Sequence, residues 1–299
     1  MQGIKLRMLS VLIPTYNYNV VTLVKQVKQQ CDALGILYEI IATDDFSDKE
    51  YTLDNSIINS LENCRLIENS SNMGRTYTRR LLAETAQYNM LLFLDADVLP
   101  VKETFIKDYL PYITEGAPAV FGGYAYTPEP PEKNRILRYK YGRCREEKPV
   151  DVRKQNPYGF VFSGNILLRK DVFMENNFNG RGKFYGLDVW FSYSLFRSGV
   201  PVIQIDNPIY HLGIEENEVF FKKALDSVAT KKQLMESFPE IGMVNPLMKS
   251  YRLLQKYRLT AIVKAGFKLT EPIMRKMILK NNPSLFVLDI YRLGYLCSL

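Results

Sequence analysis

One histidine, one tryptophan and four scattered cysteines are all that 299 residues provide of those types. No apolar run reaches the ~20 residues that a membrane-spanning helix needs. The lone histidine, His211, rules out metal centres built from several imidazoles, and any Ser-His-Asp triad would have to use it. Cys31, Cys64, Cys144 and Cys297 lie far apart without metal-type spacing, which reads as reduced thiols in a cytosolic protein. The opening MQGIKLRMLS leads into a strand-like run and lacks the apolar core of a signal peptide, so a cytoplasmic location is expected. Internal repeats and low-complexity tracts are missing, and no nucleic-acid-binding motif is recognisable.

What is there suits a globular chain: 46% hydrophobic and 24% charged residues, ample for a core. The net charge of +7 is unevenly placed. Residues 245–299 hold ten Lys and Arg against Glu271 and Asp289, so +8 lies there and −1 is left for residues 1–244. A neutral body with a basic tail points to an anionic surface as partner, and no nucleic acid is expected.

Strand-like runs at Leu9–Pro14, Tyr38–Thr43, Cys64–Glu68, Met90–Leu94 and Ala119–Gly122 alternate with helical patterns near Val20–Leu34, Lys49–Leu61, Arg75–Gln87 and Lys102–Ile113. Continuous apolar strands between amphipathic helices predict an α/β fold whose mostly parallel central sheet is covered on both faces. Ala125–Gly159, with its proline-rich TPEPPEKN and basic, tyrosine-rich RILRYKYGRCR, reads as a long loop, of the kind that is functional or mobile. A strand at Phe160–Leu168, a helix at Leu187–Ser198 and a strand at Val200–Ile205 follow, and the chain beyond Ile214 reads as helical. Ligands of such sheets bind beyond the carboxyl ends of the strands. There the sequence places Thr15-Tyr16-Asn17, Asp44-Asp45, and Asp95 with Asp97.

The last pair sits in LLFLDADVLP, where two charges interrupt a run that should be buried. Residues i and i+2 of an extended segment point to one side, so Asp95 and Asp97 would present two carboxylates at the mouth of the sheet. Hard divalent cations bind through one or two carboxylates plus substrate phosphates, and a metal-bound diphosphate would account for both. Two turn or capping aspartates are the plainer alternative.

SVLIPTYN, TDDFSD, NMGRTYTRR and FLDADV occur in this order, each at a strand end or helix start. Together they resemble the nucleotide-sugar-binding half of the family 2 glycosyltransferases, which have the GT-A fold. SGNILLRKDVF, GLDVWFSYSLFRSG and YHLG are similar to acceptor-side motifs of its galactosyltransferase-like and chondroitin-polymerase-like members. The resemblance implies that Pro14, Thr15 and Tyr16 line the base pocket and that Asp45 bonds the nucleobase. It places Asn72 and Arg79 near the phosphates and Asp95 at the ribose or the outer sphere of the metal. Asp97 would bind a divalent Mn2+ or Mg2+, with Asp95 nearby and His211 completing the shell. Phe46 and Val98 depart from the family pattern, which often has glycine and an acid there.

Inverting transfer needs a general base to take the acceptor hydroxyl's proton. The family keeps this base as the last acid of a G-x-E-D-like motif, matched here by Tyr185-Gly186-Leu187-Asp188, so Asp188 is the candidate. Leu187 replaces the usual glutamate, and an aspartate in a first helical turn also suits the helix dipole. Ser163, Gly164 and Asn165 lie where the family closes its acceptor pocket. Trp190 could stack on a sugar or pack in a core. The Arg- and Tyr-rich Arg135–Arg145 could cover the donor or remain solvated.

The expectation is thus a metal-dependent inverting glycosyltransferase moving a sugar, most simply from UDP, to a glycan or lipid-linked saccharide. Residues 1–124 would bind the donor, 125–213 the acceptor, and 214–299 would form a helical basic extension. From Leu247 apolar residues recur at helical spacing between Lys and Arg, as in helices lying on anionic membranes, which would put the protein on the inner face of the cell membrane; packing on the catalytic domain with a solvated basic face is the alternative. A non-catalytic carbohydrate- or membrane-binding scaffold is the rival. A sugar nucleotidyltransferase is less consistent, because PTYNYN stands where its Gly- and Arg-rich loop belongs.

Overall fold

A computed structural model describes residues 7–180 and 184–299, so the first six residues of the MQGIKLRMLS opening lie outside the described chain. Two compact units divide it: Met1–Ala125, Pro149–Lys183 and Ser194–Gly213 form one, and Tyr126–Lys148, Phe184–Tyr193 and Ile214–Leu299 the other.

The first unit holds the strands β1 (Met8–Thr15), β2 (Leu37–Asp44), β3 (Cys64–Glu68), β4 (Met90–Leu94), β5 (Val98–Pro100), β6 (Ala119–Phe121), β7 (Tyr124–Ala125), β8 (Asn165–Arg169), β9 (Val202–Gln204) and β10 (Ile209–His211). Seven make one sheet in the order β3-β2-β1-β4-β8-β6-β9. All its pairings are parallel except those of β8, which runs antiparallel to both β4 and β6. Leu12, Ile13, Ile40, Ile41, Leu92 and Phe93 are fully buried, as continuous apolar runs require when helices cover both faces. The helix Val21–Leu34 supplies Leu23, Val24, Val27 and Cys31 to the core and ends at Gly35, whose φ of +58° is the left-handed cap that glycine favours. A second sheet, β5-β10-β7, carries His211 on its middle strand.

The sequence-expected strand at Phe160–Leu168 is shorter than its apolar pattern. Pro157–Phe160 is a 3-10 turn and pairing begins only at Asn165. The apolar residues ahead of it are buried by ring packing instead, with Phe162 set 5.7 Å from Phe121 and 5.5 Å from Tyr124. Nor is Ala125–Gly159 irregular throughout: helices form at Ile136–Tyr141 and Val150–Gln155.

The second unit is helical, with Asn217–Met235, Pro246–Lys256, Thr260–Leu279 and Leu285–Ser298 as its longer helices. Its core gathers Leu137, Phe220, Phe221, Phe267, Ile278, Leu285, Leu288 and Tyr291. A Cβ at Gly294 would meet the Phe267 ring at 2.5–2.7 Å, so glycine is what lets the last two helices approach so closely.

Candidate active site

At the end of β2, each acid is already engaged. Asp44 accepts from the Ser47 backbone N–H at 2.7 Å and from Thr52 Oγ1 at 3.3 Å. Asp45 accepts from Asn69 Nδ2 (2.9 Å) and from the N–H groups of Met73 (2.8 Å) and Gly74 (2.7 Å). The Asp45 carboxylate therefore shapes the 69–74 segment and presents half-buried Asn72 from it. Between the acids and Ser47, Phe46 is exposed with φ +69°, a left-handed conformation that costs a side-chain-bearing residue roughly 1–2 kcal/mol. Pro14 and Thr15 are buried at the end of β1, where Thr15 O accepts from the Asp45 N–H at 2.9 Å, and Tyr16 is exposed beyond them.

Asp95, one residue past β4, faces Arg75 and Arg79, and both guanidiniums donate to its carboxylate. These arginines stand one turn apart on the helix Arg75–Thr85, so one helix face delivers two positive charges. Burial pushes the Asp95 carboxyl up, but Arg75 and Arg79 more than offset it, His211 adds to them, and the group is held down at about 2. The Arg79 side chain is buried with Asp95, whereas that of Arg75 is 49% exposed. Gly164 closes the cluster: its carbonyl accepts from the Asp95 N–H at 3.2 Å, and a Cβ there would overlap the Asp95 carboxylate and the Tyr124 hydroxyl. Next to it Asn165 is wholly buried, donating to Gly123 O (2.8 Å) and Asn207 O (3.0 Å) and accepting from Tyr109 Oη (2.8 Å). Its amide is a brace of the fold. Ser163 is half-buried beside them.

Asp97 has a different neighbour. It immediately precedes β5, whose antiparallel register pairs Val98 with His211, and the Leu212 N–H donates to Asp97 O at 2.8 Å. His211 Nε2 lies 3.6 Å from Asp97 Oδ2. The Tyr124 ring stands edge-on to the imidazole at 5.8 Å. A Cβ at Gly213 would overlap the Asp97 carboxylate, so the glycine of YHLG gives that carboxylate its place. Tyr18 faces the same charge: burial and then Asp97 push its hydroxyl up.

Asp188 and Trp190 belong to the second unit. Asp188 opens the helix Asp188–Arg197, and Gly186 before it turns at φ +85°, where a Cβ would meet Ser227 and lie 3.4 Å from Lys231 Nζ. Lys231 is 2% exposed and donates to Ser227 O and Oγ. Burial and then Arg292 pull its ammonium down to about 7, against the attraction of Asp188. Trp190 packs edge-on to Phe238 at 4.9 Å.

Sequence reasoning thus found the acids but not the partners of Asp95. Arg75 was missed, although R-x-x-x-R at helix spacing was its signal. With Asp95 committed to arginines, the Asp97 carboxylate and the His211 imidazole, 3.6 Å apart, are the candidate cation ligands. Among the described residues no group of three or more His, Cys, Asp or Glu forms a metal site.

The model of a family described as glycosyl transferase family 2 matches residues 10–176. No curated protein gives a significant sequence match. Among solved structures, GalNAc-T7 with UDP, GalNAc and Mn2+ aligns at 17% identity and TM-score 0.54, over 84% of this chain and 51% of that one. This chain therefore spans about half the length of that relative. S. aureus TarS (residues 1–349) with UDP-GlcNAc aligns at 14% identity and TM-score 0.51, over 97% and 90% of the two chains. The mannosyltransferase PcManGT from Pyrobaculum calidifontis, in complex with GDP-Man and Mn2+, aligns at 12% and TM-score 0.54, over 97% and 85%. These likenesses show the fold, which is the GT-A arrangement expected from the sequence.

Proposed function

Because the chain belongs to glycosyl transferase family 2, we propose that it is an inverting enzyme moving one sugar from a nucleotide diphosphate, most simply a UDP-sugar, to a hydroxyl of a glycan or lipid-linked saccharide. The observation that carries this reading is the Asp97–His211 pair, whose aspartate lies just past β4, two residues on from the arginine-clamped Asp95. One carboxylate and one imidazole are too few to hold a cation alone, but they suit one whose shell is completed by phosphate oxygens and water. Asp97 and His211 would hold it, and the imidazole favours Mn2+ over Mg2+, which prefers oxygen ligands. When bound, such an ion supplies Lewis-acid charge to the diphosphate leaving group.

The chain's own residues set the rest. Arg79 keeps Asp95 ionised and fixed, and half-exposed Arg75 adds positive charge where a diphosphate would lie. Asn72 would lie near the nucleotide on the loop that Asp45 holds, against Pro14, Thr15 and Tyr16. Asp188, at the start of its helix, would accept the proton of the attacking hydroxyl. Residues 1–124 would serve the donor and 125–213 the acceptor, with Ser163, Gly164 and Trp190 on that side; buried Asn165 would act there only by bracing the strand beneath them. Residues 214–299 would rest on an anionic membrane, which suits an acceptor carried on lipid. No helix among the described residues is long and apolar enough to cross one.

The test is thermal melting with UDP, GDP and CDP, each with and without Mn2+, on the wild type and Asp97→Ala. One nucleotide should stabilise the wild type only with Mn2+, by about 2.7 kcal/mol at a hundredfold excess over Kd, a shift of roughly 5 °C. Asp97→Ala should abolish that shift. Asp188→Asn should keep it and lose turnover with the donor so identified. No shift with any nucleotide overturns the reading.

A further inference from the structure

The helix Thr260–Leu279 has two apolar faces, and only one is used by the fold. Phe267 and Ile278 enter the core of the second unit, and Glu271 between them accepts from Tyr291 Oη at 2.5 Å. On the opposite side Ile262, Leu269 and Ile273 are 68%, 81% and 63% exposed, with Gly266 and Met277 completing the row. The spacing 262, 266, 269, 273, 277 is one continuous helix face about 22 Å long. Three large aliphatic side chains in one such row are not the scattered exposure normal for a protein surface.

Charge narrows the occupant. Lys268, Lys276 and Lys280 are exposed on the same helix or at its end. The helix's single acid, Glu271, is turned inward to Tyr291. Arg275 is engaged by Glu218 at 2.9 Å, off this face. A second copy docking through the same row would bring lysine against lysine. An aliphatic row rimmed by lysines matches instead the boundary between acyl chains and anionic headgroups.

We propose that the Ile262–Leu269–Ile273 face, with Lys268, Lys276 and Lys280, lies in the interface of an anionic lipid bilayer. This deepens the membrane contact of the proposed function. Binding is read without turnover, so its failure would leave the transferase reading intact.

The experiment is flotation of the full chain with phosphatidylcholine vesicles, alone or containing phosphatidylglycerol, alongside analytical ultracentrifugation without lipid. The wild type should float only with the anionic vesicles. Leu269→Glu should cut partitioning about tenfold or more, and each of Lys268→Gln, Lys276→Gln and Lys280→Gln by about fivefold. All four positions are exposed, so melting temperatures should not move, and unchanged melting confirms that each variant is folded. Absence of flotation, equal binding to neutral vesicles, or undiminished binding of folded Leu269→Glu would overturn the proposal. A wild-type dimer that Leu269→Glu dissociates, without lipid binding, would assign the face to a second copy.

Discussion

Both units bury charge, but they close it differently. In the first, Asp95 is met by Arg79, buried with it, and by Arg75, whose side chain remains half exposed. In the second, Arg138 donates to Glu146 at 3.0 Å, Glu146 also accepts from Tyr126, and the guanidinium lies over the rings of Tyr126 and Phe220. Burial opposes the Arg138 charge, yet Glu146 and Tyr126 outweigh it and hold its pKa up. The Arg138 cluster is sealed and acts as a strut. The Asp95 cluster has an open side, and at a strand end in an α/β sheet an open side is where a charged ligand is met. Burial of charge alone therefore does not mark a site; what sets the Asp95 cluster apart is its one exposed member, Arg75.

The largest effect that would break this comparison comes from removing both arginines. Arg75→Met/Arg79→Met leaves Asp95 buried without its cations and should cost about 3–5 kcal/mol in urea denaturation at neutral pH. The wild type should also lose stability in acid. With the folded pKa of Asp95 near 2 and its ordinary value at 3.8, the contribution is complete above 3.8 and fades as pH falls towards 2. The double variant should lack that acid-dependent loss.

Next in size is Lys231, a buried cation of the second unit besides Arg138. Its folded pKa is near 7 against an ordinary 10.5, so between those values the unfolded chain binds a proton that the folded protein does not. Stability at this residue thus falls as pH drops from 10.5 to 7 and stays reduced below. Lys231→Met should stabilise by about 2 kcal/mol at pH 7, a value discounted for the lost Ser227 hydrogen bonds, and should turn destabilising above pH ~10.5, where only that hydrogen-bond loss remains. Denaturation curves at pH 7 and pH 10.5 would check it, and a loss at pH 7 would mean that the ammonium is well accommodated. The smallest effect belongs to Phe46→Gly. It relieves a left-handed residue but frees the unfolded chain, so a net gain of about 0.5 kcal/mol in melting is expected.

The parts legible in the sequence are those whose cause is local. β1, β2 and β4 are apolar runs between turn residues, and they occur where the pattern places them. Asp95 and Asp97 could be found for the same reason, as charges in a buried run. The Arg75 partner of Asp95 could not, because a helix face brings it there, and His211 is set beside Asp97 only by the family resemblance, since strand pairing rather than a local pattern brings it. The helix Ile136–Tyr141 shows the limit most clearly. Its six residues carry too short a pattern, and Asn217 anchors it, accepting from the Leu137 N–H at 2.8 Å and donating to Lys133 O at 3.1 Å. A partner 80 residues away leaves no periodic trace.

The pairing of His211 with Val98 has a consequence for how the protein can be cut or altered. The segment matched by the family model ends at residue 176, whereas the imidazole arrives on a three-residue strand 33 to 35 residues later. A fragment stopping at the matched segment would contain both aspartates and no histidine. Even in the whole chain, a slip of one residue between β10 and β5 would turn His211 to the other face and bring Tyr210 or Leu212 to its place. Ile209, fully buried at the other end of this short strand, is thus the alignment pin for a side chain it never touches.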